Sequence, residues 1–133
     1  MLRSFGCAAA DEIPKAYIEY MARLPYYFEL EGYLLVHAGL NFSAPDPLQD
    51  LDQMVWIRNW YEHIDRDWLG GRLIVHGHTP LQKPAILRCL DTLDEVPAIN
   101  IDNGCVFDFT DFGSLCALDL TNRRLFFQKK LDR

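Results

Sequence analysis

Leu73-Ile74-Val75-His76-Gly77-His78-Thr79-Pro80 sets the terms for the fold. The short buried strand Arg72-Leu73-Ile74-Val75 runs into a glycine turn that carries two histidines. The same design occurs earlier in Leu34-Leu35-Val36-His37-Ala38-Gly39. In both, an apolar strand delivers a histidine to an open turn, where a rigid element can present a side chain to a ligand. Imidazole is the commonest metal ligand at neutral pH, so histidines from adjacent strand ends can meet at one ion. A single histidine at a strand end is as a rule structural, and His-x-His shares a strand face trivially. The matching contexts are what bring the metal reading forward.

Outward from these strands, Tyr26–Leu30 and Tyr33–Val36 flank Glu31-Gly32 and read as a β-hairpin. Asp11–Leu24 has apolar residues at helical spacing, with Pro14 expected in the first turn. Pro45 and Pro47 mark a loop, and Leu51–Tyr61 reads as a helix with an aromatic face. Short strands are expected at Ala85–Arg88, Ala98–Ile101, Ser114–Asp119 and Arg124–Gln128. The fold class is α/β with α+β character: a mostly antiparallel C-terminal sheet with flanking helices, residues 1–133 forming a single domain.

The chain has 133 residues, half of them hydrophobic and 24% charged, the balance of a globular protein with a core. Its net charge of −6 and its scattered basic residues argue against a nucleic-acid partner. No apolar run is long enough to span a bilayer, so no membrane partner is expected. The four cysteines, Cys7, Cys89, Cys105 and Cys116, form no Cys-x-x-Cys pair and suit a reducing, cytoplasmic setting. Each reads most simply as a small buried hydrophobe.

Four segments in order resemble the serine/threonine-phosphatase branch of the calcineurin-like metallophosphoesterases, in its bacterial form. They are Val36-His37-Ala38-Gly39-Leu40, Val55-Trp56-Ile57-Arg58, Val75-His76-Gly77-His78-Thr79-Pro80 and Ile101-Asp102-Asn103-Gly104-Cys105-Val106-Phe107. Leu2-Arg3-Ser4-Phe5-Gly6 is similar to a segment that precedes the first histidine in such proteins. The resemblance implies a partial metallophosphoesterase β-sandwich with two divalent ions at its mouth, Mn first, with Fe, Zn or Ni as alternatives. It implies that His37 and His78 ligate one ion, that Arg58 grips the phosphate oxygens, and that a metal-activated hydroxide attacks phosphorus. His76 and Asp102 are expected behind these residues, Asp102 holding a turn. His63 is expected in solvent, and Trp56, Trp60 and Trp68 in the core.

The implied substrate is a phosphorylated protein or small phosphoester. A dinucleoside-tetraphosphate hydrolase on the same scaffold and a non-catalytic binding module are the alternatives. The family's Gly-Asp-x-His, Gly-Asp-x-x-Asp-Arg-Gly and Gly-Asn-His-Glu motifs do not occur here. The chain therefore reads as the C-terminal part of such a domain, with the N-terminal half as its missing partner, a reading frame begun at an internal Met and a genuinely reduced relative being the alternatives. Alone it is expected to be nearly inactive and adhesive, with Leu34-Leu35-Val36 and Leu73-Ile74-Val75 bared.

Overall fold

The computed structural model describes residues 2–131. The helices are α1 (Leu2–Phe5), α2 (Lys15–Ala22), α3 (Leu51–Trp56), α4 (Arg66–Leu69) and α5 (Lys83–Asp91), joined by 3-10 turns at Ala10–Glu12, Pro47–Gln49 and Tyr61–His63. The strands are β1 (Tyr27–Leu30), β2 (Tyr33–Val36), β3 (Leu73–His76), β4 (Ala98–Asn100), β5 (Ser114–Asp119) and β6 (Arg124–Lys129). One sheet has the order β1-β2-β3-β4, and β5-β6 is a separate hairpin.

The expected mixed α/β class with α+β character holds. Antiparallel pairing covers β1-β2 and β5-β6, but β2, β3 and β4 run parallel. Their composition explains this: Leu34-Leu35-Val36 and Leu73-Ile74-Val75 are unbroken apolar runs, as suits strands covered on both faces. Alternate residues divide between two cores. Leu34, Val36, Ile74 and Ala98 pack with Met54 of α3, Trp60 and Leu69 of α4. Tyr33, Leu73, Val75 and Ile99 face the other way, against Cys89 and Leu90 of α5 and against Leu118 and Leu120. The Tyr33 hydroxyl donates to the Leu120 carbonyl at 2.7 Å, tying the hairpin to the sheet.

Several elements differ from expectation. Ala85–Arg88 lies within helix α5. Pro84 sits in that helix's first turn, Ile86 is fully buried, and Cys89, Leu90 and Leu93 continue one face at helical spacing. The expected helix from Asp11 is interrupted, because Ile13 is extended ahead of Pro14, as a residue preceding proline prefers. The Leu51–Tyr61 helix stops at Trp56, where Ile57 turns extended.

The apolar runs expected to be bared are instead covered, with Leu34 and Ile74 fully buried. Exposed apolar surface gathers on α2, β1 and the turn between them, through Tyr17, Ile18, Tyr20, Leu24, Phe28 and Leu30. The cysteines are free and half-buried, and burial pushes the Cys116 thiol up to about 11. Among the described residues, no helix is long and apolar enough to cross a membrane.

Candidate metal-binding cleft

The parallel strands β2, β3 and β4 all end on the same edge of the sheet, where ligands of open α/β sheets usually bind. At that edge the Gly77 amide donates to the His37 carbonyl at 2.8 Å, which joins the two turns. His37 Nε2 and His78 Nδ1 lie 3.2 Å apart, their ring centroids 5.0 Å apart at 61°. Two nitrogens each bonded at about 2.0–2.1 Å to one ion fall at such a separation. His78 takes a left-handed backbone with φ of 70°, uncommon outside glycine, and its Nε2 is buried with no hydrogen-bond partner. An orphaned ring nitrogen and a strained backbone often mark a working site rather than a packed one.

Burial lowers the pKa of His78. The positive charge of Arg58 and the neighbouring His37 lower it further, against the opposing pull of Asp102. Arg58 is exposed, two residues beyond the end of α3, and its positive charge is felt at His78. Trp56 also stands there, edge-on to His78 with ring centroids 5.8 Å apart and 62% exposed. Of the three tryptophans expected in the core, Trp60 is buried, Trp68 is half-buried, and Trp56 is a wall of the cleft. Its exposure follows from its place as the last residue of α3, before the chain turns towards Arg58.

His76 has a different fate. It is 3% exposed on the face lined by Trp60 and Tyr61. Its Nδ1 lies 3.1 Å from the Gly77 carbonyl, and its Nε2 lies 2.8 Å from the Tyr61 hydroxyl. A carbonyl can only accept, so Nδ1 carries the proton and Nε2 accepts from Tyr61. Burial drives the pKa of His76 down to about 4, the Gly77 carbonyl and Asp102 opposing it. Burial also raises the Tyr61 phenol, with Asn100 pulling the other way. Tyr61 was absent from the expected site residues. A tyrosine beside an acidic and a histidine neighbour gives no periodic signal of the hydrogen bond it makes.

The segment after β4 completes the rim. Asp102 accepts from the Gly104 amide at 2.8 Å, the turn-holding role expected of it. A Cβ on Gly77 would meet the Asp102 Cβ at 3.3 Å, so Asp102 lies against the histidine turn. Asn103 is buried and spans loops by donating to the Leu81 and Asp111 carbonyls and accepting from the Ser114 amide. Asn100 donates to the Thr79 carbonyl at 2.9 Å, pinning the far side of the His78 turn. His63 is exposed, as expected.

The arrangement offers two nitrogen donors, a nearby guanidinium and an aromatic wall. Among the described residues, no three His, Cys, Asp or Glu side chains converge as a metal-binding group. His37 and His78 therefore fit one edge of an ion's coordination shell and leave the rest to other donors. No family model matches the chain, and neither a curated protein nor a solved structure matches it.

Proposed function

We propose that this chain contributes the histidine side of a metal-dependent phosphomonoesterase site. Phosphoserine- or phosphothreonine-type esters are the substrate class, and the setting is cytoplasmic. The observation that carries this reading is the 3.2 Å approach of His37 Nε2 to His78 Nδ1, from two strand ends on the same sheet edge. His37 and His78 would hold a divalent ion, Mn or one of its Fe, Zn and Ni competitors. Bound ions of this kind supply a hydroxide nucleophile at neutral pH and neutralise charge on the phosphoryl group.

The chain's own residues do the rest. Arg58 presents a planar fork that pairs with two oxygens of a tetrahedral phosphate and orients it. Trp56 shields one side of His78 from water, which strengthens the charge interactions beside it. Tyr61, His76 and Asn100 fix the backbone that carries His78. The remaining donors would come from outside the described residues, so the chain alone should turn over an aryl phosphate well below about 1 s⁻¹. A non-catalytic binding module is the second reading. It is favoured by the lack of a third ligand among the described residues and by the exposed apolar surface on α2 and β1.

The test is a Zn²⁺ titration of the chelator-stripped chain, followed through imidazole NMR signals. Resonances of His37 and His78 should move together, and His37→Ala or His78→Ala should abolish the response while His63 stays still. In a preparation where the remaining donors are supplied, Arg58→Ala should lower turnover roughly 100–1,000-fold without changing metal content. A response confined to His63 would remove the metal reading. Zn²⁺ binding at the pair with no turnover after reconstitution would leave the binding module.

A further inference from the structure

The opposite end of the parallel strands holds a second, differently built cavity of about 300 Å³. It opens where β3 begins, roughly 10–13 Å along the strand from the histidine turn. Arg66, Arg72 and Arg123 line it together with apolar Leu73, Leu93 and Pro97. These three arginines come from α4, the turn into β3 and the β5-β6 turn, so the topology gathers them from distant parts of the sequence. The chain has 13 Lys and Arg against 19 Asp and Glu, which makes such a gathering unusual for its composition.

The three guanidinium groups are used unequally. Arg72 is spent on structure. It pairs with Glu29 at 2.7 Å, donates to the Leu69 and Trp68 carbonyls, and lies over the Trp68 ring. Arg66 uses only Nη2, on the carbonyls of Asp94 and Glu95. Arg123 uses only Nε, towards the Tyr33 hydroxyl at 3.2 Å, from a left-handed backbone position with φ of 51°. Both terminal nitrogens of Arg123, and Nε and Nη1 of Arg66, have no hydrogen-bond partner among the described residues. Asp94 is the one carboxylate lining the cavity, and Glu29 is already matched by Arg72, so the lining keeps a positive excess.

We propose that this cavity is a binding site for a small organic phosphate, its oxygens held by Arg66 and Arg123 and its apolar body against Leu73, Leu93 and Pro97. Guanidinium forks match phosphate oxygens in pairs, and a cavity of this volume whose lining is mostly polar, with Leu73, Leu93 and Pro97 as its smaller apolar part, suits a small ligand held chiefly by charge. The site is separate from the histidine cleft and needs no metal. Arg58, on the other edge, has no part in it.

Phenylphosphonate, which cannot be hydrolysed as an ester, is the probe. The full chain is titrated with it in the presence of chelator, following amide signals by NMR. Saturable shifts at Gly71, Leu73 and Leu93 are expected, weakening as salt is raised. Arg123→Gln should weaken binding about tenfold, the order of one charge-assisted hydrogen bond, and Arg66→Gln should act in the same direction. Arg58→Ala should leave the affinity unchanged. Both glutamine variants alter exposed side chains, and their amide spectra report whether the fold is retained. Lack of saturation at millimolar probe would overturn the proposal. So would shifts centred on His37 and His78, or an affinity indifferent to Arg123.

Discussion

The ends of β2 and β3 are near copies in sequence and opposites in structure. Aligning Leu34-Leu35-Val36-His37 with Leu73-Ile74-Val75-His76 sets His37 beside His76. The sheet instead pairs Leu34 with Ile74 and Leu35 with Val75, so His76 falls opposite Val36. One step of register turns a side chain to the other face. His76 thereby joins the core with Val36, Trp60 and Tyr61, and the next histidine along, His78, becomes the one that meets His37. The difference separates a histidine that holds the scaffold from two that can hold a ligand.

The largest break in this comparison should come from the glycines of the two turns. A Cβ on Gly39 would overlap the Trp60 indole, whose Nε1 donates to the Ala38 carbonyl from within the core. Gly39→Ala should therefore cost about 3 kcal/mol or more, at the upper end of overpacking effects. On Gly77 the same methyl would have the Asp102 side chain as its nearest neighbour, at 3.3 Å, and that side chain is half-buried. Gly77→Ala should cost about 1 kcal/mol or less. Urea unfolding midpoints measure both, and equal losses would mean that the turns are packed alike.

All six strands were legible to within a residue, because their short runs are separated by turn residues such as Gly32, Gly71, Pro97, Gly113 and Asn122. Helix α5 was not, since Ala85-Ile86-Leu87 is a short apolar run whose helical period emerges only when Cys89, Leu90 and Leu93 are counted with it. The pairing of His37 with His78 came through the family resemblance, and the residue pattern by itself did not choose between His76 and His78. Register could not be read, because β2 and β3 are apolar on both faces and so carry no alternation to fix it. The Tyr61–His76 bond and the arginine cavity depend on contacts between remote segments, to which local pattern is blind.

A second prediction follows from the burial of His76 in the metal-free chain. Its folded pKa of about 4 lies below the ordinary 6.5 of an unfolded histidine. Between these values the unfolded chain takes up a proton that the folded chain refuses, so stability rises with pH. The contribution is complete above pH 6.5 and is lost as pH falls towards 4, reaching about 3 kcal/mol in all. Denaturation at pH 7, 5.5 and 4 should show this loss in the native chain. His76→Gln should flatten the dependence, and an unchanged slope would mean that other groups carry it.

A smaller effect than that of His76, and the most discriminating, is expected for Tyr61→Phe. The change keeps the ring against Trp60 and removes only the hydroxyl that donates to His76 Nε2 at 2.8 Å. A buried acceptor left without its donor costs about 1–3 kcal/mol, and because Tyr61 is only half-buried, water can reach part of this site. A loss of about 1–2 kcal/mol at pH 7 is therefore expected. The hydroxyl supports the neutral imidazole, so its removal should let the His76 pKa rise from about 4 towards its ordinary value. The variant then loses less stability than the native chain as pH falls, and the gap between them should narrow towards pH 4. A simple packing defect would cost the same at every pH. Unfolding curves for both chains across that range tell the two apart, and a constant gap would assign Tyr61 to packing and remove its role in holding His76 neutral beneath the turn that carries His78.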